Sequence, residues 1–348
     1  MRILITGNMG YVGPQVVTRL RATYPDAEIV GIDMGFFAHC LSGAPVLPEH
    51  RLDTQHFADV RHLDASVLEG FDALVMLAAV SNDPMGEAYK SVTARINNES
   101  CVRLAGLAKR AGTSHVVFAS SCSVYGFAEG GARSEDAELN PLTAYAHSKI
   151  DAENALRELA DESLIVTCLR FPTACGMSPR LRLDLVLNDF VASAIATGNI
   201  EILSDGTPWR PIIDTQDMAL AIDWAIARTA SDGGAFLAIN AGRNEANYQV
   251  RELAETVREV LPDVTVSINP DAPPDKRSYQ VDFSRYQALA PDHQPRVPLR
   301  QSVEELARGL TAMNFSDPKF RESQFIRLRV LNELREQGRI NDNLEWLQ

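Results

Sequence analysis

The chain has 348 residues, 45% of them hydrophobic and 23% charged, the make-up of a folded globular protein rather than a disordered one. Its net charge of −13 at pH 7 argues against a nucleic-acid or anionic-membrane partner, and no apolar run approaches the ~18 residues a membrane span needs. The five cysteines (Cys40, Cys101, Cys122, Cys168 and Cys175) form no CxxC pair and sit near no histidine cluster, so reduced thiols in a cytoplasmic protein, and no metal site, are expected.

In chain order, residues 2–6 read as a buried strand and 11–23 as a helix. Further strands are predicted at 28–33, 73–79, 115–120 and 164–170, and helices at 88–111 and 144–160. This alternation predicts an α/β fold: a Rossmann-type doubly wound parallel sheet, with ligands along the C-terminal strand ends, and a smaller α/β C-terminal substrate lobe. Beyond Arg170 the rhythm breaks at Pro172, Gly176 and Pro179. We therefore assign a dinucleotide-binding domain to 1–175 with returns near 211–240, the substrate lobe to 176–210 and 241–313, and a helical tail to 314–348. Residues 269–277, with three prolines, read as an exposed loop.

Immediately after the first strand comes Gly7-Asn8-Met9-Gly10-Tyr11-Val12-Gly13. Gly7 suits a tight turn, Gly10 the approach of a pyrophosphate, and Gly13 close packing of the helix, whose N-terminal amides face the phosphates. The whole loop, Asn8, Met9, Tyr11 and Val12 included, is assigned to cofactor binding. Asp33 ends the second strand 20 residues after Gly13, where a carboxylate accepts hydrogen bonds from ribose hydroxyls and repels a 2′-phosphate. With Met34 and Gly35 offering no cation, the cofactor is read as NAD rather than NADP.

Tyr145 and Lys149 form the chain's single Tyr-x-x-x-Lys pair, against a chance expectation of about 0.1. At i and i+4 on a helix they share a face, and a nearby ammonium favours the phenolate of a group whose ordinary pKa is about 10. A hydroxyl at the end of the preceding strand would complete a proton-transfer set, and Ser120, Ser121 and Ser123 compete for it.

Together these residues resemble the extended short-chain dehydrogenases/reductases, in particular the NAD-dependent nucleotide-sugar epimerase/dehydratase family, over roughly residues 2–310. The resemblance rests on the glycine loop, Asp33, Asp59-Val60, Leu77-Ala78-Ala79, Asn97, residues 120–126 and Tyr145/Lys149. It implies that Ser121 is the catalytic hydroxyl, Tyr145 the base and Lys149 its partner, also touching the cofactor. It places Asp59 and Val60 beside adenine, Leu77, Ala78 and Ala79 along the cofactor, and Asn97 as a support of the active-site strand counted with the cofactor site. Ser123 falls at a sugar contact, Asn188 near the nucleotide, and Arg210 and Arg277 at the substrate diphosphate. Ser81, Asn82 and Thr173 are further substrate candidates, in stretches that depart from the commonest epimerases.

The family's dehydratases carry Asp-Glu where this chain has Cys122-Ser123, which speaks against dehydration. The resulting expectation is redox-neutral epimerisation of a nucleotide-diphosphate sugar, at C4, in a homodimer. The alternatives are a nucleotide-sugar dehydrogenase or ketoreductase with exchangeable cofactor and, further off, a dehydratase or a non-catalytic dinucleotide-binding protein. The tail after residue 313 has no counterpart in the resemblance.

Overall fold

The computed structural model describes residues 1–127, 130–268 and 278–347. The first part of the chain runs β1 (Arg2–Thr6), α1 (Gly13–Thr23), β2 (Glu28–Asp33), β3 (Thr54–Phe57), β4 (Ala73–Met76), α2 (Asp83–Ala88), α3 (Lys90–Ala94), α4 (Cys101–Arg110), β5 (His115–Ser121), α5 (Ala144–Arg157) and β6 (Ile165–Phe171). It continues through β7 (Thr173–Cys175), α6 (Val186–Thr197), β8 (Asn199–Ile202), β9 (Trp209–Asp214), α7 (Thr215–Ala227) and β10 (Phe236–Asn240). It closes with β11 (Asn247–Gln249), α8 (Val250–Val260), β12 (Thr265–Ile268), α9 (Ser284–Leu289), α10 (Leu299–Ala312) and α11 (Arg327–Glu336).

Seven parallel strands form the main sheet in the order β10-β6-β5-β4-β1-β2-β3. Both faces are covered, which the strands show residue by residue. Ile3 and Ile5 join one core with α1 and α7, whereas Leu4 joins the other with α4 and α5. Chain direction along the sheet reverses between β1 and β4, so a crevice opens past their C-terminal ends. The loops meet there: Gly7 has φ +78°, and a Cβ on it would lie 2.4 Å from the Ala78 amide nitrogen.

The second lobe packs α6, α8 and α10 around a separate core, with the small sheet β11-β9-β7 at its base and β8 paired to β12. One piece of the span assigned to it lies elsewhere. Tyr286 of α9 packs edge-on to Trp224 of α7, with centroids 5.5 Å apart, inside the first domain's core. The predicted helix 88–111 is interrupted as well: α2 and α3 break at Tyr89, and residues 95–100 make a π-helical turn before α4. Among its described residues the tail holds a 3-10 turn at Phe320–Glu322 and α11, and then hooks back onto the first domain through Ile340 and Leu344. All five cysteines are buried free thiols. Among the described residues no helix is long and apolar enough to cross a membrane.

Candidate active site

A cleft of about 1150 Å³ runs along the crevice between the lobes. That exceeds the ~300–1,000 Å³ of a pocket for one small ligand. Gly7, Gly10, Tyr11, Val12 and Gly13 line one end, opposite Leu77, Ala78 and Ala79. Gly13 leaves no room for a side chain, because a Cβ there would meet the Asn8 carbonyl at 2.0 Å. α1 therefore starts directly against the loop, and its N-terminal end borders the cleft at Val12 and Gly13.

Asp33 lies in this end with its carboxylate held by the amides of Met9 (3.1 Å) and Gly35 (2.8 Å). Burial pushes its carboxyl up, and those two amides work against the shift. One cation stands near Asp33 that the sequence did not reveal, Arg180, but it is fully buried and held bidentate by Glu49 at 2.6 and 3.1 Å. The glycine turn, the open helix end and this oriented carboxylate fit a dinucleotide with two free ribose hydroxyls at the adenosine end.

Two residues of the loop serve it from below. Met9 contributes its amide to Asp33, and the Asn8 side chain turns away from the cleft to Gln55 Oε1 at 2.6 Å. Asp59 and Val60 line the adenosine end, and there Asp59 is gripped by Arg61 through Nε (2.9 Å) and Nη2 (2.5 Å).

Asn97, counted with the cofactor residues from sequence, does not border the cleft. It is fully buried in the π-turn, accepts from Val80 N (2.8 Å) and donates to Val80 O (3.0 Å) and Ser148 Oγ (3.1 Å). It ties the loop after β4 to the helix carrying Tyr145, so it positions rather than contacts. Leaving two buried backbone groups unpaired costs about 1–3 kcal/mol each, which explains an Asn there.

The three serines separate cleanly. Ser120 donates to Glu153 Oε1 (2.5 Å), and Glu153 is locked to Arg170, 2.6 Å from Nη2, in the core. Ser121 faces the cleft, accepts from the amide of Ser123 (3.1 Å) and hydrogen-bonds the Tyr145 hydroxyl. The Ser123 Oγ is buried at the cleft wall with no hydrogen-bond partner in the protein, an acceptor and donor left for a ligand. Cys122 between them is fully buried and turns its thiol to Arg170 O. It offers no acid or base to the cleft.

Tyr145 and Lys149 share a face of α5. Burial pushes the Tyr145 phenol up to about 12, opposed by the Ser121 hydrogen bond. Burial likewise pushes Lys149 down to about 8, and its Nζ donates to Ala119 O at 2.7 Å while lying 5.6 Å from the Tyr145 ring centroid. Two charges of opposite sign also act on the phenol: Asp83 raises its pKa and Arg182 lowers it. Arg182 was missed from sequence. It is clamped to Asp184 (2.9 and 2.7 Å) and donates to Ser81 Oγ (3.0 Å).

Of the substrate candidates, Ser81, Asn82, Thr173 and Arg210 border the cleft. Asn82 has φ +149°, caps α2 through Met85 N (2.9 Å) and donates to Asp184 (2.8 Å), a strained backbone of the kind found at binding sites. Asn188 does not border the cleft. Both of its amide protons go to Tyr11 Oη and Arg182 O, and its oxygen accepts from Gly176 N, so it knits the lobes together instead of meeting a nucleotide. Arg277 lies outside the described residues.

The model of the family described as NAD dependent epimerase/dehydratase matches residues 3–242. A UDP-glucuronic acid decarboxylase of Arabidopsis thaliana is 26% identical over 314 residues, covering 87% of each chain. A UDP-glucose 4-epimerase of Azospirillum brasilense is 27% identical over 296 residues, 74% of this chain and 77% of that one. Among solved structures, a UDP-glucose 4-epimerase from Stenotrophomonas maltophila superposes with a TM-score of 0.77 at 21% identity, over 90% of this chain and 99% of that one.

Proposed function

Since the chain belongs to the NAD dependent epimerase/dehydratase family, whose members are NAD-dependent enzymes acting on nucleotide sugars, we propose that it is an epimerase inverting a sugar hydroxyl carbon, C4, without net oxidation. The observation that carries this reading is the Ser121–Tyr145 pair with Lys149 beneath it and no second acid or base at Cys122 or Ser123.

The glycine loop, Asp33, Asp59, Val60 and residues 77–79 would hold NAD, which supplies a hydride acceptor and donor. The protein's own part is proton transfer and orientation. Tyr145 takes the C4 hydroxyl proton and later returns it, while Ser121 holds the same oxygen through both steps. The phenol must be drawn down from about 12 to accept that proton; Arg182 already lowers it, and the ammonium of Lys149, 5.6 Å from the ring centroid, would add a favourable charge. The unpartnered Ser123 Oγ fits a contact to the sugar, and Arg210 suits a diphosphate, as guanidinium forks do. The keto-sugar then presents its other face. Dehydration would need a further acid and base beside C5 and C6, and the positions after Ser121 provide neither.

The experiment is incubation with a panel of nucleotide sugars and no added cofactor. Epimer formation without net NADH absorbance supports the reading. Stoichiometric production or consumption of NADH moves the assignment to dehydrogenase or ketoreductase, and release of carbon dioxide or water from the sugar moves it to decarboxylase or dehydratase.

A further inference from the structure

The segment after Asn314 returns to the cofactor side of the molecule. Val330, Leu331 and Leu334 of α11, then Ile340 and Leu344 beyond a turn at Gly338 (φ +65°), form one apolar cluster with Cys40, Val80, Met85, Tyr89 and Val92. The partners lie in the loops and helices after β2 and β4, at the strand ends where the dinucleotide is expected.

Polar contacts fasten the last residues to the adenosine end at two points. Arg61, whose guanidinium already grips Asp59, donates to Asn343 O (2.6 Å) and Leu344 O (3.0 Å), and its side chain is 6% exposed. Trp346 donates through Nε1 to Met34 O (2.7 Å), one residue from Asp33, and its ring lies 5.2 Å from that of Phe36. Arg95 adds a bond to Asn343 Oδ1 (2.8 Å). Leu344 between these anchors has φ +53°, rare for a leucine, and its side chain borders the same cleft as Asp33, Val60 and Arg61. Strain of that kind persists only where surrounding contacts over-determine it.

We propose that residues 339–347 are a clasp that forms one wall of the adenosine site and sets the rate at which NAD leaves. This rests on the reading that the cleft holds NAD. Asp33 and Asp59 would face the adenosine from the strand ends, and each is tied through a neighbour to the clasp, Asp33 by Met34 O and Asp59 by Arg61. A dinucleotide seated there cannot withdraw its adenosine half sideways until Leu344 lifts, and Trp346, bonded to Met34 O, holds it down. An enzyme that oxidises and reduces within one turnover gains from such retention, because a released NADH would strand the keto-sugar.

The test measures release of NAD itself. The full-length protein is loaded with radiolabelled NAD, freed of excess and chased with unlabelled NAD. It is compared with a chain ending at Gly338 and with the full-length double variant Leu344→Gly/Trp346→Ala. Loss of one anchoring hydrogen bond and one buried apolar contact corresponds to at least about tenfold faster release in the double variant. The truncated chain should release at least as fast. Affinity for UDP, read separately by calorimetry, should change in neither. If truncation prevents folding, judged by its thermal transition, the double variant decides alone. Release within twofold of wild type in the folded variants overturns the clasp and leaves the cofactor assignment standing. A wild-type protein that retains no NAD overturns both.

Discussion

Tyr145→Phe removes one oxygen from the centre of the proposed chemistry. The ring stays, and with it the packing against Gly86 of α2, where a Cβ would sit 2.9 Å from that of Tyr145. What is lost is the hydrogen bond with Ser121 and the proton acceptor. The first is worth about 1 kcal/mol of stability, within reach of a well-folded protein. The second is far larger: general acid–base groups contribute about 10²–10⁴ in rate, or roughly 3–5 kcal/mol of barrier. Steady-state turnover of the variant should therefore fall at least a hundredfold, while its NAD content and thermal midpoint stay close to wild type. Ser120→Ala is the control at the position next to Ser121, since its hydroxyl serves the Glu153–Arg170 pair in the core. It should lower stability by about 1–3 kcal/mol and keep most of the turnover. A Tyr145→Phe enzyme retaining more than about a tenth of the rate, or a Ser120→Ala enzyme as inactive as Tyr145→Phe, refutes the assignment of roles.

Three further outcomes follow from the geometry. NAD should bind at least about tenfold more tightly than NADP, because Asp33 faces the ribose end and the nearby cation Arg180 is engaged by Glu49; equal affinities by titration contradict this. Arg210→Ala should weaken nucleotide-sugar binding by about 2–3 kcal/mol and leave NAD binding unchanged, as read by calorimetry with each ligand. Asp214 caps α7 through Gln216 N and accepts from Ser302 Oγ, and burial raises its carboxyl to about 6. The folded state thus holds a proton that the unfolded state releases near pH 4, so this group's contribution to stability falls as pH rises from about 4 to 6, by roughly 3 kcal/mol. Asp214→Asn should remove that slope from denaturation midpoints measured across the window, and an unchanged slope would count against it.

How much of this could be read from the chain depends on how local each feature is. β1, β2, β4, β5 and β6 announce themselves because they are short apolar runs buried on both faces. β3 does not: Thr54–Phe57 is an edge strand with most of its side chains in solvent, and Phe57 is 67% exposed. The glycine loop and the Tyr145/Lys149 pair are motifs within single elements, so their spacing carries them to one cleft. The choice among Ser120, Ser121 and Ser123 depended on partners about 20 to 50 residues away, Glu153, Tyr145 and Arg170, which no local pattern displays. Asn97 and Asn188 illustrate the converse. The resemblance placed both at functional positions, but their amide groups are consumed by backbone and side chains across 6 to 177 residues of sequence. Arg182, Arg61 and the hooked tail were invisible for the same reason, although Arg61 stands only two residues after Asp59.

If one nucleotide-sugar carbon is oxidised and re-reduced within a single occupied cleft, the hydrogen on that carbon never meets water. A nucleotide sugar that the enzyme turns over, carrying deuterium on C4, would be incubated with enzyme as purified and no added cofactor in ordinary water. The C4 epimer should form with the deuterium retained at C4, since the atom leaves as hydride and returns from the same bound cofactor. Epimer that has lost its deuterium to water, or an oxidised sugar accumulating in step with NADH, contradicts it.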